Sequence, residues 1–70
     1  MALNTVDARG RACPEPVVLT RKGLEQYPGG VQVLVDNTTS RDNVRRFAES
    51  RNYKVAVSDQ GEDFVLTITK

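Results

Sequence analysis

The sequence contains no His, no Trp and a single Cys. Each absence removes a class of chemistry. One Cys cannot close an internal disulfide, and without His a closed zinc site of Cys and His ligands cannot be assembled. Ser-His-Asp and Cys-His catalysis within one chain are excluded for the same reason. Ten basic residues against nine acidic give a formal charge of +1, which supplies no overall field for nucleic acid or anionic lipid. The longest apolar runs are about three residues, far short of a membrane span. Met1 to Gly10 lack a basic start followed by an apolar stretch, so no secretory signal is expected. The default expectation is a small cytoplasmic domain in which a lone thiol stays reduced. A chain of 70 residues makes one domain with a marginal core, burying about 60% of the surface its unfolded form exposes. The groups left for chemistry are Cys13, a few carboxylates and the arginines.

What is present is strong patterning. Leu3 to Ala8 reads as a short strand ending near Asp7, followed by a turn over Arg9-Gly10-Arg11-Ala12. Cys13-Pro14-Glu15-Pro16 reads as a helix start. Both prolines are tolerated only if the helix begins near Cys13, because the first helical positions leave their N–H groups unpaired anyway. Cys13 is thereby placed at or next to the N-cap. Val17, Thr20, Leu24 and Tyr27 then recur at helical spacing beside Pro16 and Gly23. Pro28-Gly29-Gly30 ends that helix. Val31, Val33 and Val35 alternate with Gln32, Leu34 and Asp36 in a half-buried strand. Thr39 or Ser40 is expected to cap a second helix with an apolar stripe of Val44, Phe47 and Ala48, ending near Asn52. Tyr53, Val55 and Val57 alternate with polar or small residues. Asp59-Gln60-Gly61-Glu62 is a hairpin turn, and Phe64, Leu66 and Ile68 form the buried side of a last strand.

The order strand, helix, strand, helix, strand, strand predicts a two-layer α/β (α+β) sandwich, βαβαββ. Its four-stranded mixed sheet carries both helices on one face, because alternation leaves the other face wet. Crossovers bring their strands parallel, and the final hairpin is antiparallel. In such units the helix N-termini stand over the carboxyl ends of the parallel strands. Cys13 and the segment from Asp36 to Arg41 are therefore expected to share one rim.

By composition alone, a lone Cys is more often a small buried hydrophobe than a nucleophile. Its placement argues the other way. A helix N-terminus is electropositive, and Arg9 and Arg11 lie close in sequence, so the thiolate is favoured. Pro14 and Pro16 supply no N–H, leaving Glu15 and Val17 as early donors, and the Glu15 carboxylate opposes ionisation. The net expectation is a modest depression of the Cys13 pKa. With no resolving thiol, base or zinc, the task that suits such a group is to accept sulfane sulfur from one thiol and hand it to another by displacement at sulfur. Without His or a metal set, no cofactor and no metal site are implied.

Asp7-Ala8-Arg9-Gly10-Arg11-Ala12-Cys13-Pro14-Glu15-Pro16-Val17 resembles the N-terminal motif of the TusA/SirA-like sulfur carriers, with its Cys-Pro-x-Pro core. The likeness continues through Thr20-Arg21-Lys22, Pro28-Gly29-Gly30 and Val35-Asp36. Asp36 to Val44 together with Arg46-Phe47-Ala48-Glu49 looks most like the N-terminal domain of the YedF branch, associated with sulfur and selenium metabolism. The resemblance implies the βαβαββ sandwich over residues 1–70 and a persulfide on Cys13. It also implies a sulfurtransferase-type carrier working with partner enzymes: a donor such as a cysteine desulfurase, and a downstream acceptor. Because YedF-type proteins continue into a second domain, residues 1–70 are expected to be either an excised domain or a stand-alone form. Gly23 stands where relatives commonly have Ala, at a helix cost of about 0.5–1 kcal/mol.

Arg21–Glu25, Asp42–Arg46 and Arg45–Glu49 are spaced as i,i+4 ion pairs on helix surfaces. Arg9, Arg11, Lys22 and Arg41 have no such local partner by this reading. With Asp36, the three arginines Arg9, Arg11 and Arg41 are candidates for docking a protein partner at the rim. Asp7 is expected to order the Arg9-Gly10 turn, and Asp36 and Asp42 to serve in caps or turns. Two other classes compete: a nucleic-acid-binding module, disfavoured by the balanced charge, and a regulatory docking domain in which Cys13 is structural.

Overall fold

The computed structural model describes residues 4–11 and 14–70. The elements run β1 (Asn4–Asp7), α1 (Glu15–Gln26), β2 (Gly30–Val35), α2 (Thr38–Ser50), β3 (Lys54–Gln60) and β4 (Asp63–Thr69). The sheet order is β1-β2-β4-β3, with β1 and β2 parallel and both remaining pairs antiparallel. β4 is thus inserted between β2 and β3, and the expected mixed four-stranded sandwich is present.

The register explains the core. Val6, Val33, Leu66 and Val57 form one cross-sheet row, and Val31, Ile68 and Val55 form another on the same face. Against these rows pack Leu24 of α1 with Val44 and Ala48 of α2. Val31, Val33, Val35, Leu66 and Ile68 are fully buried, each contributing on the order of 1.5–3 kcal/mol by leaving water. The opposite face carries Thr5, Gln32, Thr67 and Ala56 in one row. Gln32 there donates from Nε2 to Thr67 Oγ1 at 3.4 Å, so period-two alternation has sorted apolar from polar side chains as expected.

Glycines allow two close approaches at the end of the sheet where β2 begins. Gly30 has φ of +140°, and a Cβ there would collide with the Ile68 carbonyl oxygen of β4. Gly23 lets α1 lie against the sheet, since a Cβ would come to 2.9 Å from Val6 Cγ2. Gly23 therefore has a packing role that its helix propensity alone does not reveal. Thr20, fully buried in α1, satisfies its hydroxyl by donating to the Pro16 carbonyl at 2.8 Å.

α1 starts at Glu15, with Pro14 as N-cap and Pro16 inside the first turn, where the two prolines required the helix to begin. Several other expectations change. Asn37, not Thr39 or Ser40, caps α2: its Oδ1 accepts the Ser40 N–H at 2.7 Å, and Ser40 is buried inside the helix. Val57 is 41% exposed because β3 is an edge strand with a neighbour on one side only. Tyr27 sits at the C-cap of α1, beyond the packed face, and is also exposed. Val17 and Phe47 pack against the core without being fully enclosed. The hairpin turn narrows to Gly61 and Glu62, since Gln60 and Asp63 still pair. Gly61, at φ of +69°, takes the first central position, where such turns favour glycine.

Candidate functional site

The candidate site is the rim where β1 and β2 end and both helices begin. The chain leaves β1 with the Ala8 N–H donating to the Leu34 carbonyl at 2.9 Å. Gly10 follows with φ of +73°, in open space, and its N–H donates to Asp36 Oδ2 at 2.8 Å. This bond joins the β1–α1 connection to the end of β2; the expectation that Cys13 shares this rim falls on a residue outside the described ones. Cys13, together with Ala12, lies outside the described residues.

Past that point Pro14 caps the helix backbone without a side-chain cap, and its carbonyl accepts the N–H groups of Val17 and Val18, each at 3.1 Å. One of the two early donors, Val17, is thus spent inside the turn. Glu15 at the first helical position accepts from Arg11 at 3.3 Å, which offsets the negative charge the carboxylate brings to the helix start.

Arg9 is the most connected side chain of the rim. Its Nε and backbone N–H both donate to Asp7 Oδ1, at 3.0 and 3.1 Å. One terminal nitrogen donates to Asp7 Oδ2 at 3.0 Å, and the other reaches Asp63 Oδ2 of β4 at 3.1 Å. Asp7 orders the turn as expected, through the backbone bond two residues on. The hydrogen bonds from the Arg9 side chain, then its backbone, hold the Asp7 carboxyl down to about 2 from 3.8. The same Asp7 contact, followed by Asp63, raises the Arg9 pKa still further. Arg41 donates from Nε to Asp42 Oδ1 at 3.1 Å, and its guanidinium lies 4.9 Å from the centre of the Phe64 ring. Asp36 supports the connection to Gly10 and accepts from the Asn37 side-chain amide at 3.1 Å.

The arginines expected to lack local partners have them: Arg9 holds Asp7 and Asp63, Arg11 holds Glu15, and Arg41 holds Asp42. The helix-surface pairs Arg21–Glu25, Asp42–Arg46 and Arg45–Glu49 are not among the ion pairs of the described residues. Ordering two long, exposed side chains gains little in water, whereas the rim pairs profit from a loop and strands that already converge. Asp63 is the rim residue that sequence reasoning missed. Its role follows from the β4 register, which sets it beyond the Val35–Phe64 pair and beside the end of β2.

A hollow of about 120 Å³ lies at the other end of the helices, lined by Arg21, Leu24, Glu25, Phe47, Arg51 and Tyr53. It does not include the rim. Among the described residues no group of three or more acidic, His or Cys side chains is arranged to hold a metal ion, and no helix is long and apolar enough to cross a membrane.

The family model described as Sulfurtransferase TusA matches residues 4–70. A protein of Methanocaldococcus jannaschii named "Putative sulfur carrier protein" is 34% identical over 73 residues, covering 100% of this chain and 97% of its own. The crystal structure of a SirA-like protein from Desulfitobacterium hafniense superposes with a TM-score of 0.87 at 35% identity, over 96% of each chain.

Proposed function

Given that this chain belongs to the TusA sulfurtransferase family, we propose that it is a sulfur-relay protein that carries sulfane sulfur as a persulfide on Cys13. The supporting observation is that Pro14, the residue that follows Cys13 in the Cys-Pro-x-Pro motif, is the N-cap of α1, while Gly10 before the motif is anchored to Asp36. A thiol beside a helix N-terminus gains from the positive end of the helix dipole.

The transfer balances without an added oxidant. The Cys13 thiolate attacks the outer sulfur of a donor persulfide. The donor's S–S bond breaks, its inner sulfur leaves as thiolate, and a new S–S bond forms on Cys13. An acceptor thiolate then repeats the displacement and regenerates the Cys13 thiolate. A cysteine desulfurase fits the donor role, and the acceptor is a downstream protein or enzyme of sulfur or selenium metabolism, as in the YedF branch. The residues form one working domain in a reducing, cytoplasmic compartment, where the thiol stays free between loads. Arg9, Arg11, Arg41 and Asp36 line the surface that a partner meets on approaching Cys13. Their mixed signs do not make the basic stripe that a nucleic-acid-binding module requires.

Replacement of Cys13 by Ser separates this reading from a purely structural role. In a coupled assay that follows labelled sulfur from a persulfide donor to a thiol acceptor, Cys13→Ser is expected to abolish transfer while the domain stays folded. Transfer at the unsubstituted rate would overturn the proposal.

A further inference from the structure

We propose that β3 is an interaction edge at which two copies of this chain pair antiparallel, joining their sheets about a twofold axis at Ala56. β3 is the last strand of the sheet and bonds only to β4 among the described residues. Its 7 residues follow β4 without a bulge, from Lys54 opposite Thr69 to Gln60 opposite Asp63. Every second residue therefore turns its N–H and C=O away from the sheet. Edge strands are ordinarily blunted by proline, by bulges or by charge along their length. β3 has neither proline nor glycine, and its charges, Lys54 and Asp59, stand toward its ends around the uncharged run Val55-Ala56-Val57-Ser58. Val57 lies on the core face and is left 41% exposed because no strand covers its outer side.

The register identifies the occupant. A twofold axis normal to the sheet keeps both helix layers on one side, so residues that face each other must lie on the same face of their strands. Centring on Ala56 sets Ala56 against its own copy, Val55 against Val57 in both halves, and Lys54 against Ser58 in both halves. Both valines gain apolar partners, and no like charges face each other. Centring on Val57 instead sets Asp59 against Val55, and centring on Ser58 sets it against Val57. Centring on Val55 shortens the ladder to Lys54–Ala56. At Ala56 the core row Val6, Val33, Leu66 and Val57 of one copy runs on into Val55, Ile68 and Val31 of the other. A second copy fits better than an unrelated strand because Val55-Ala56-Val57 reads the same in both directions and so matches itself. A ladder from Lys54 to Ser58 falls short of the ~800 Å² per partner of a standard interface. The dimer is accordingly weak and reversible, with a Kd on the order of 100 µM.

Sedimentation equilibrium of the full chain from about 10 µM to about 1 mM tests the pairing. The mass is expected to rise from 7.8 kDa toward twice that value. Ala56 is exposed in the single chain, so Ala56→Lys leaves the fold intact while setting two cations face to face at the axis. It is expected to weaken association by about tenfold or more, as is Ala56→Glu. An equimolar mixture of these two variants is expected to recover a dimer containing one chain of each. Gln32→Lys, on the open face of β2 and two strands away, is expected to leave association unchanged. Hydrogen exchange of the unsubstituted chain gives a reading that needs no variant to fold. The β3 amides turned away from β4 are expected to exchange about fivefold more slowly at ~1 mM than at ~10 µM, with β1 amides unchanged.

A single-chain mass at ~1 mM, or β3 exchange that ignores concentration, would overturn the proposal. So would a folded Ala56→Lys chain that associates like the unsubstituted one, or a mixture that fails to associate. Loss of the dimer in Gln32→Lys would assign association to the open sheet face instead. None of these readings depends on whether Cys13 carries persulfide.

Discussion

The two ends of the sheet are held by different kinds of contact. At the rim, where β1 and β2 finish, the chain is tied by charge and hydrogen bonds: Arg9 to Asp7 and Asp63, and Gly10 to Asp36. At the opposite end, where β2 begins and β4 finishes, backbone is pressed on backbone at Gly30 and Ile68. A glycine illustrates each regime. Gly10 has positive φ but open space around it, whereas Gly30 has positive φ and a carbonyl in its way. One end is held by backbone in close contact, and the other by side-chain carboxylates of Asp7, Asp63 and Asp36 that hold Arg9 and Gly10.

Substitutions test the contrast in order of expected size. Gly30→Ala has to move β4 as well as adopt a disfavoured φ, and a loss of about 3 kcal/mol is expected in denaturant unfolding. A loss below 1 kcal/mol would show that the sheet yields easily at that point. Gly23→Ala comes next. Helix propensity favours it by about 1 kcal/mol, but the new Cβ meets a stiff branched side chain 2.9 Å away at Val6. A net loss of about 1 kcal/mol is expected. Adding Val6→Ala is expected to make the Gly23→Ala step favourable in a double-mutant cycle.

At the rim, Gly10→Ala meets no steric obstacle and carries only the left-handed penalty, about 1 kcal/mol. Equal effects at Gly10 and Gly30 would erase the distinction between the two ends.

The smallest effect is in the acid response. Asp7 has its folded pKa depressed to about 2 from 3.8 by Arg9. Its contribution is therefore complete above the unfolded pKa and is lost as pH falls from about 4 through 2. Arg9→Gln is expected to flatten that part of the stability–pH curve, measured by thermal melts at each pH. An unchanged slope would show that the exposed pair adds nothing to folding.

Much of the fold was legible because its signals are local and periodic. Val31, Val33 and Val35 alternate, Val44, Phe47 and Ala48 recur at helical spacing, and Pro14 and Pro16 permit a helix only just ahead of them. Features that depend on position in space were not legible. Asn37, Thr39 and Ser40 are all good caps, and the choice among them is made by where α2 must start to bury Ser40. The exposure of Val57 follows from β4 entering between β2 and β3. Arg9–Asp63 joins residues 54 apart in the chain, so only the strand register brings them together. Local spacing also suggested helix-surface ion pairs, but proximity in sequence does not outweigh the entropy of exposed side chains. For the site, the motif around Cys13 was evident from residue order, whereas the fastening of its loop to three strands needed the structure.

The central claim is that Cys13 carries sulfane sulfur, and intact mass measurement tests it directly. After incubation with a cysteine desulfurase and cysteine, the chain is expected to gain the mass of one sulfur atom. The gain should be removed by a thiol reductant and absent from Cys13→Ala. An unchanged mass with several competent desulfurases, or an equal gain on Cys13→Ala, would contradict the account.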